Sequence, residues 1–344
     1  MRAQGVLGPI AADALGTTLT HEHLLWDLTP WRSEPRTERE REAASGPVRP
    51  EVRAALRFDP CLSLDNLVHR DVELACAELR DALGAGVRTV VDPTNASLGR
   101  DPAALRAIAE RTGAQIVMGS GWYYKLVLDD AWAARSPADL SAELVRDVTE
   151  GVGDSGIRAG VIGEIGTSSP ITPLEERSVR AAARAQAETG APLMVHLDGW
   201  GREGHRVLDL VATEGGDITR TLLCHLNPSW RDDDYQRSLA ERGAYLGFDM
   251  FGVDHFYPPD RASPDELSAL GAVAHLVGQG HRDRLLLSHD VYLKTMLRRH
   301  GGYGYAHLLT TLRPYLGLVG LSDDDVDALF TANPRAFLCF LDGA

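Results

Sequence analysis

Short runs of β-branched and leucine residues alternate along this chain with longer stretches whose apolar positions recur at helical spacing. Eight runs read as strands: Leu15–Thr20, Arg88–Asp92, Gln115–Gly119, Gly160–Glu164, Pro192–His196, Thr221–His225, Ala244–Phe248 and Leu285–Ser288. Helical stretches separate most of them. Leu67–Leu83 runs into Gly84 and Gly86, which suit a helix stop. Pro102–Arg111 follows Asp101, Pro173–Glu188 follows Thr172, and Pro264–Gly278 follows Ser263. Each of these joins a capping side chain to a proline at the first helical position. Asp323–Phe330 and Pro334–Leu338 close the chain. Eight strand–helix repeats in 344 residues predict an α/β fold, a (β/α)8 TIM barrel forming a single domain over residues 1–344. The alternative is an open doubly wound sheet, which has no eightfold count and usually opens on a glycine-rich turn; no GxGxxG occurs.

The connection after the first strand breaks the pattern. Residues 31–66 form a long insert rich in charge, Pro and Gly. A connection of that length is a lid, a binding loop or a solvated flap. The flap is the reading adopted for residues 32–53, with Trp26, Trp31 and Phe58 available to anchor the insert near a pocket.

Composition narrows the function classes. The hydrophobic fraction of 44% is that of a globular chain. The net charge of −14 disfavours broad contact with nucleic acid or an anionic membrane, leaving a small molecule as the expected partner. The four cysteines, Cys61, Cys76, Cys224 and Cys339, are scattered without a CxxC pair, so neither a disulfide framework nor a thiolate zinc site is expected. With no signal-peptide pattern and no bilayer-length apolar stretch, the expected location is the cytoplasm.

Metal-binding side chains cluster at the predicted C-terminal strand ends, where barrel enzymes build their sites. His21 and His23 end the first strand two residues apart, which points both imidazoles to one face and Glu22 to the other. Glu164 ends the fourth strand, His196 the fifth and His225 the sixth, and Asp290 follows the eighth. Alone, each histidine fits a hydrogen-bonded core residue, and Glu164 fits an ion pair with an arginine. Together, four imidazoles and two carboxylates exceed the needs of one tetrahedral ion and suit two divalent ions sharing a bridge. Imidazole-rich ligation favours Zn2+, with Mn2+, Co2+ or Fe2+ as substitutes.

The stretches LGTTLTHEHL (15–24), AGVIGEIGTSSPITPLEER (159–177), GAPLMVHL (190–197), LLCHLN (222–227), LLLSHD (285–290) and ANPRAFL (332–338) resemble the phosphotriesterase-like branch of the amidohydrolase superfamily. IGEIG (162–166) and HDVYLKTMLRRHGGYGYAHLLT (289–310) are most similar to its phosphotriesterase-related group. The resemblance implies a distorted barrel with a binuclear centre. His21, His23 and Asp290 would bind the more buried ion, and His196 and His225 the more exposed one. Glu164 would bridge them where phosphotriesterases proper use a carbamylated lysine. That difference puts paraoxon-type activity in doubt but not the metal centre, because glutamate supplies the same negative charge. Barrels of this superfamily are often dimers, so a homodimer is expected, although no interface signature is visible.

These residues imply a metal-dependent hydrolase. A metal-bridging hydroxide would attack a small ester, lactone or N-acyl amide carrying an anionic group, with Asp290 as the catalytic proton acceptor. His289 and His255 are candidate outer partners of the ligands. Substrate contacts are expected from Trp122 and Tyr123 after the third strand, Met250 after the seventh, and Tyr292 and Lys294 after the eighth, with Lys294 holding the anionic group. Met250 stands where lactonases of the superfamily often carry arginine, which lowers the case for a lactone. The group includes an N-acyltaurine-type amidase, which keeps an amide with an anionic tail in view. The alternatives are a phosphotriester hydrolase, a TatD-like metal-dependent phosphodiesterase, which shares the HxH and GEIG motifs, and a binding protein without catalysis.

Overall fold

The computed structural model describes residues 1–258 and 261–341. All eight predicted strands are present: β1 (Thr18–Leu19), β2 (Thr89–Asp92), β3 (Gln115–Ser120), β4 (Val161–Gly166), β5 (Leu193–His196), β6 (Thr221–Leu223), β7 (Tyr245–Phe248) and β8 (Leu285–Leu287). They are parallel and lie side by side in chain order. Just past their ends, β1 and β8 meet as well. The Asp290 amide donates to His21 O at 3.0 Å, and the His23 amide to Val291 O at 3.2 Å. The result is a nearly closed (β/α)8 TIM barrel.

The two-residue alternation of each strand sorts the core. Val91, Val117, Val161, Met194, Leu222 and Leu286 fill the barrel interior. Leu193, Val195, Leu285 and Leu287 point outward into an outer core that also holds Val179, Ala182 and Ala183 of the helix Pro173–Thr189. An antiparallel hairpin, Arg2–Gly5 with Gly8–Ala11, joins the chain's last described residues through paired backbone bonds between Arg2 and Leu341.

Several helix boundaries differ from expectation. The helix placed at Leu67 begins at Val72, capped by Asp71, because Val68–His69 pairs antiparallel with Trp26–Asp27. The helix placed at Pro264 runs over Glu266–Gly278. Its cap is Asp265, since the Ser263 hydroxyl donates to His255 O instead. Three helices absent from the reading above, Pro137–Thr149, Gly204–Thr213 and Asp233–Glu241, complete the outer layer. The first has the same serine–proline start signal as the others. No helix among the described residues is long and apolar enough to cross a membrane.

The charged insert is a folded unit, not a solvated flap. Glu38–Ala44, capped by a reciprocal Thr37–Glu40 box, and Arg53–Phe58 are helical. Ala43, Val48, Val52, Leu56 and Leu62 give the unit a small core of its own. Its far side is pinned to the segment after β8. Asp65 pairs with Lys294 at 2.6 Å, Asn66 Oδ1 accepts the Thr295 amide at 2.9 Å, and Arg53 donates to the carbonyls of Thr295 and His300. Arg57 reaches across to Asp254 O. Phe58 stays largely exposed and stacks on Phe256, whereas Trp26 and Trp31 face the chamber described below.

Where the insert rejoins the barrel, His69 is buried against Trp26, with ring centroids 4.7 Å apart and neither ring nitrogen hydrogen-bonded. Burial, assisted by Lys294, pushes its pKa from 6.5 down to about 4. The unfolded chain therefore takes up this proton first. The contribution of His69 to stability is complete above pH 6.5 and is lost as pH falls to about 4, a change of about 3 kcal/mol. Chemical unfolding across that window should show His69→Phe losing less stability than the wild type by about this amount. Parallel pH profiles for the two proteins would refute the assignment.

Candidate metal centre

β4 carries the central residue of the site. Its register slips against β5, so that Ile162 to Ile165 spans only Leu193 to Val195, and the extra residue falls at Gly163–Glu164. A bulge of this kind re-aims a side chain. Gly163 makes it feasible: its φ is 129°, and a Cβ there would lie 2.3 Å from Met194 O. Glu164 turns inward and is 2% exposed. The salt-bridge reading finds no arginine there; four imidazoles surround the carboxylate instead. Oε1 lies 3.5 Å from His23 Nε2, and Oε2 lies 3.6 Å from His21 Nε2, 3.4 Å from His196 Nδ1 and 3.8 Å from His225 Nε2. Asp290 Oδ1 sits 3.6 Å from His21 and 3.2 Å from His23. All six expected ligands thus converge at the C-terminal mouth of the barrel.

Outer partners aim the rings. Asp249 Oδ2 holds His21 Nδ1 at 2.9 Å, and its Oδ1 holds His225 Nδ1 at 3.0 Å and the His225 amide at 2.8 Å. Thr94 Oγ1 lies 2.7 Å from His23 Nδ1. Each contact leaves Nε2 of the ring for the centre, the usual arrangement of metal-bound histidine. Asp249 was not foreseen; the only signal was a carboxylate one residue past β7.

Glu22, turned away as the HxH spacing required, has a distinct task. Fully buried, it accepts from Ser288 Oγ at 2.8 Å, the His289 amide at 3.0 Å, His289 Nδ1 at 2.6 Å and the Val291 amide at 3.1 Å. These donors flank Asp290 on both sides. Asp290 has φ 53° and His225 φ 64°, the only two non-glycine residues with positive φ among those described. Such backbone costs about 1–3 kcal/mol and is kept where surrounding bonds over-determine it. Glu22 supplies those bonds for Asp290 and Asp249 for His225. His289 is therefore a structural partner of Glu22, and its Nε2 accepts the Leu308 amide. His255 bonds to the Tyr292 hydroxyl at 2.8 Å.

The electrostatics of the bare cluster call for cations. Burial alone would raise the Glu164 carboxyl, but the surrounding imidazoles, His21 first and then His196 and His225, hold it well below the ordinary range. Burial likewise opposes a charge on His225, yet Asp249 raises its pKa to about 10. His21 Nε2 and Glu164 Oε2 are buried without any hydrogen-bond partner, and His196 Nδ1 faces His225 Nε2 at 2.7 Å. Buried polar atoms left without partners are costly unless something positive lies between them. Three donor groups occur among the described residues: His21–His225–Asp249, which is the orienting contact just described, and His21–His23–Asp290 and Glu164–His196–His225 around the centre. Nitrogen- and oxygen-rich donors in two adjoining sets fit two divalent ions.

Above the cluster opens a chamber of about 310 Å³. Tyr123, Met250 and Tyr292, three of the residues expected to contact substrate, line it with Trp31, Pro60 and Cys61 of the insert. Two expected contacts are elsewhere. Trp122 packs into the outer core against Trp132, 5.7 Å between ring centroids, while Tyr123 beside it faces the chamber. Lys294 lies outside the chamber lining and is neutralised by Asp65. The lining adds Asp198, Trp200, Tyr257 and Arg261, which the sequence did not single out.

Comparison with known proteins gives a consistent result. The sequence model of the phosphotriesterase family matches residues 1–338. N-acetyltaurine hydrolase of Rattus norvegicus is 33% identical over 343 residues, covering 98% of each chain. A resiniferatoxin-binding protein from Rhodobacter sphaeroides superposes with TM-score 0.95 at 45% identity, covering 98% of this chain and 94% of that one. The organophosphorus hydrolase of Deinococcus radiodurans gives TM-score 0.76 at 29% identity, covering 98% and 97%.

Asp249→Asn should weaken metal retention about 10–100-fold, the usual cost of losing an outer partner. Chelator competition followed by metal analysis measures this. Unchanged retention would show that Asp249 does not orient the two rings.

Proposed function

Because the chain belongs to the phosphotriesterase family and is a metal-dependent hydrolase, we propose that it cleaves a small ester, N-acyl amide or lactone at a binuclear centre. The observation that carries this reading is the buried Glu164 carboxylate set between two ligand groups. His21, His23 and Asp290 would hold one ion, His196 and His225 the other, and Glu164 would touch both. Zn2+ suits the imidazole-rich donors best, with Mn2+, Co2+ or Fe2+ as substitutes. When bound, the ions lower the pKa of a water towards about 7 and polarise the scissile carbonyl.

The protein's own residues do the rest. Asp290 would accept the proton of the attacking water and return it to the leaving oxygen or nitrogen. Glu22 keeps Asp290 in its strained backbone conformation, so the carboxylate is held ready before substrate arrives. The Tyr123 hydroxyl, 3.0 Å from His196 Nδ1, steadies the one ligand ring at the chamber floor that has no partner deeper in the barrel. The insert closes the chamber from above through Trp31, Pro60 and Cys61 and limits entry of bulk water. A small molecule in the cytoplasm is the fitting substrate. The phosphotriester alternative draws support from the family match and the likeness to the organophosphorus hydrolase, whereas the TatD-type reading gains no observation of its own.

Two metal ions per chain should accompany turnover of an acetyl ester, N-acetyl amide and lactone panel, with activity abolished by chelation and restored by zinc. Glu164→Ala and Asp290→Ala should each lower kcat/KM by about 100-fold or more while circular dichroism stays native. Full metal content and full activity in Glu164→Ala would overturn the bridging role.

A further inference from the structure

Recognition of an anionic substrate tail needs an uncompensated cation or several free donors aimed into the pocket. Arg261 is the only lysine or arginine lining the chamber among the described residues. Its Nη1 lies 2.8 Å from both oxygens of Asp198, so its charge is already met by a carboxylate that also lines the chamber. Lys294, the cation expected for this task, is bound to Asp65 outside the lining.

Most hydroxyls of the wall are engaged as well, the Tyr124 O–H being left to offer one hydrogen bond. Tyr124 receives the Trp31 indole N–H, and the Tyr292 hydroxyl is shared between His255 and Tyr257. Thr167 donates to His196 O at 2.7 Å, and Ser168 donates to Glu175 at 2.8 Å and Pro170 O at 3.0 Å. With those groups occupied, the wall presents mainly ring faces. Trp31 meets Tyr123 and Tyr124 edge-on at 5.4 and 5.7 Å, and Trp200 meets Tyr257 at 4.7 Å. Both clusters belong to the same chamber. Its volume, about 310 Å³, is twice the ~150 Å³ that accommodates a benzene ring, leaving room for an aryl group and the bond to be cut.

From these contacts we infer that the substrate is a neutral carbonyl compound bearing an aryl or comparably flat apolar group, and that the chamber discriminates against sulfonate- or carboxylate-tailed substrates. The inference rests on the hydrolase reading above and makes its substrate class specific. An aryl group gains ring-to-ring contact and releases water from apolar walls. An anionic tail reaching the remaining N–H groups of Arg261 would lie beside the Asp198 carboxylate that already balances its charge. In this respect the chain departs from its N-acetyltaurine hydrolase relatives.

Non-hydrolysable ketones separate binding from turnover. Benzylacetone replaces the ester oxygen of benzyl acetate by methylene, and a keto sulfonate does the same for the amide nitrogen of N-acetyltaurine. Calorimetric titration of the zinc-loaded full chain should show benzylacetone binding at least about tenfold tighter, about 1.4 kcal/mol. Asp198→Asn, which frees Arg261, should narrow that ratio through tighter sulfonate binding. Equal or tighter sulfonate binding by the wild type overturns the inference, and an unchanged ratio in Asp198→Asn counts against the Arg261–Asp198 pair as its cause. Turnover of benzyl acetate and N-acetyltaurine is measured alongside. Loss of turnover with the binding preference intact would defeat the hydrolase reading while sparing the specificity of the chamber.

Discussion

The structure is organised around one expensive act, the burial of the Glu164 carboxylate at the mouth of the barrel. A lone carboxylate taken out of water is strongly destabilised, and this one has no arginine or lysine beside it. Its neighbours are four imidazoles delivered by three other strands. Three of those rings are in turn fixed by Asp249 and Thr94, and the opposing Asp290 by Glu22. Negative charge is therefore distributed in layers, with carboxylates both inside and outside the ring of histidines. Such a layering is stable only around a positive centre, which is why the donor set fits two divalent ions better than a purely structural network.

The strand ends were legible because side-chain alternation is a property of the backbone and needs no partner to be known. His21 and His23 face the centre and Glu22 faces away for that reason alone. Glu164, His196 and His225 could be placed once the apolar runs before them were recognised. Contacts that depend on pairing could not. Lys294 finds Asp65 at a separation of 229 residues, and nothing local in either segment announces the match. Trp122 and Tyr123 were equally credible chamber residues until the packing of Trp122 against Trp132 separated them. Asp249 looked like any carboxylate past a strand; its role lies in which two ring nitrogens it touches.

The insert shows a different limit. Its charge suggested solvent, and much of its charged surface does face solvent. Yet Val48, Val52, Leu56 and Leu62 are spaced widely enough among charged residues that their common core was hidden. Arg53, Asp65 and Asn66 serve as fasteners to the segment after β8. Charged residues here do the work that a hydrophobic seam would do between larger units.

Candidate metal ligands and roof have separate origins. The ligands are set by strand ends and buried carboxylates, whereas Trp31, Pro60 and Cys61 arrive on a self-contained module after β1. A protein built this way can exchange its roof while its reactive floor stays fixed. Transplanting residues 31–66 between related barrels, with the matching fasteners after β8, offers a direct route to new selectivity without disturbing the ligand geometry.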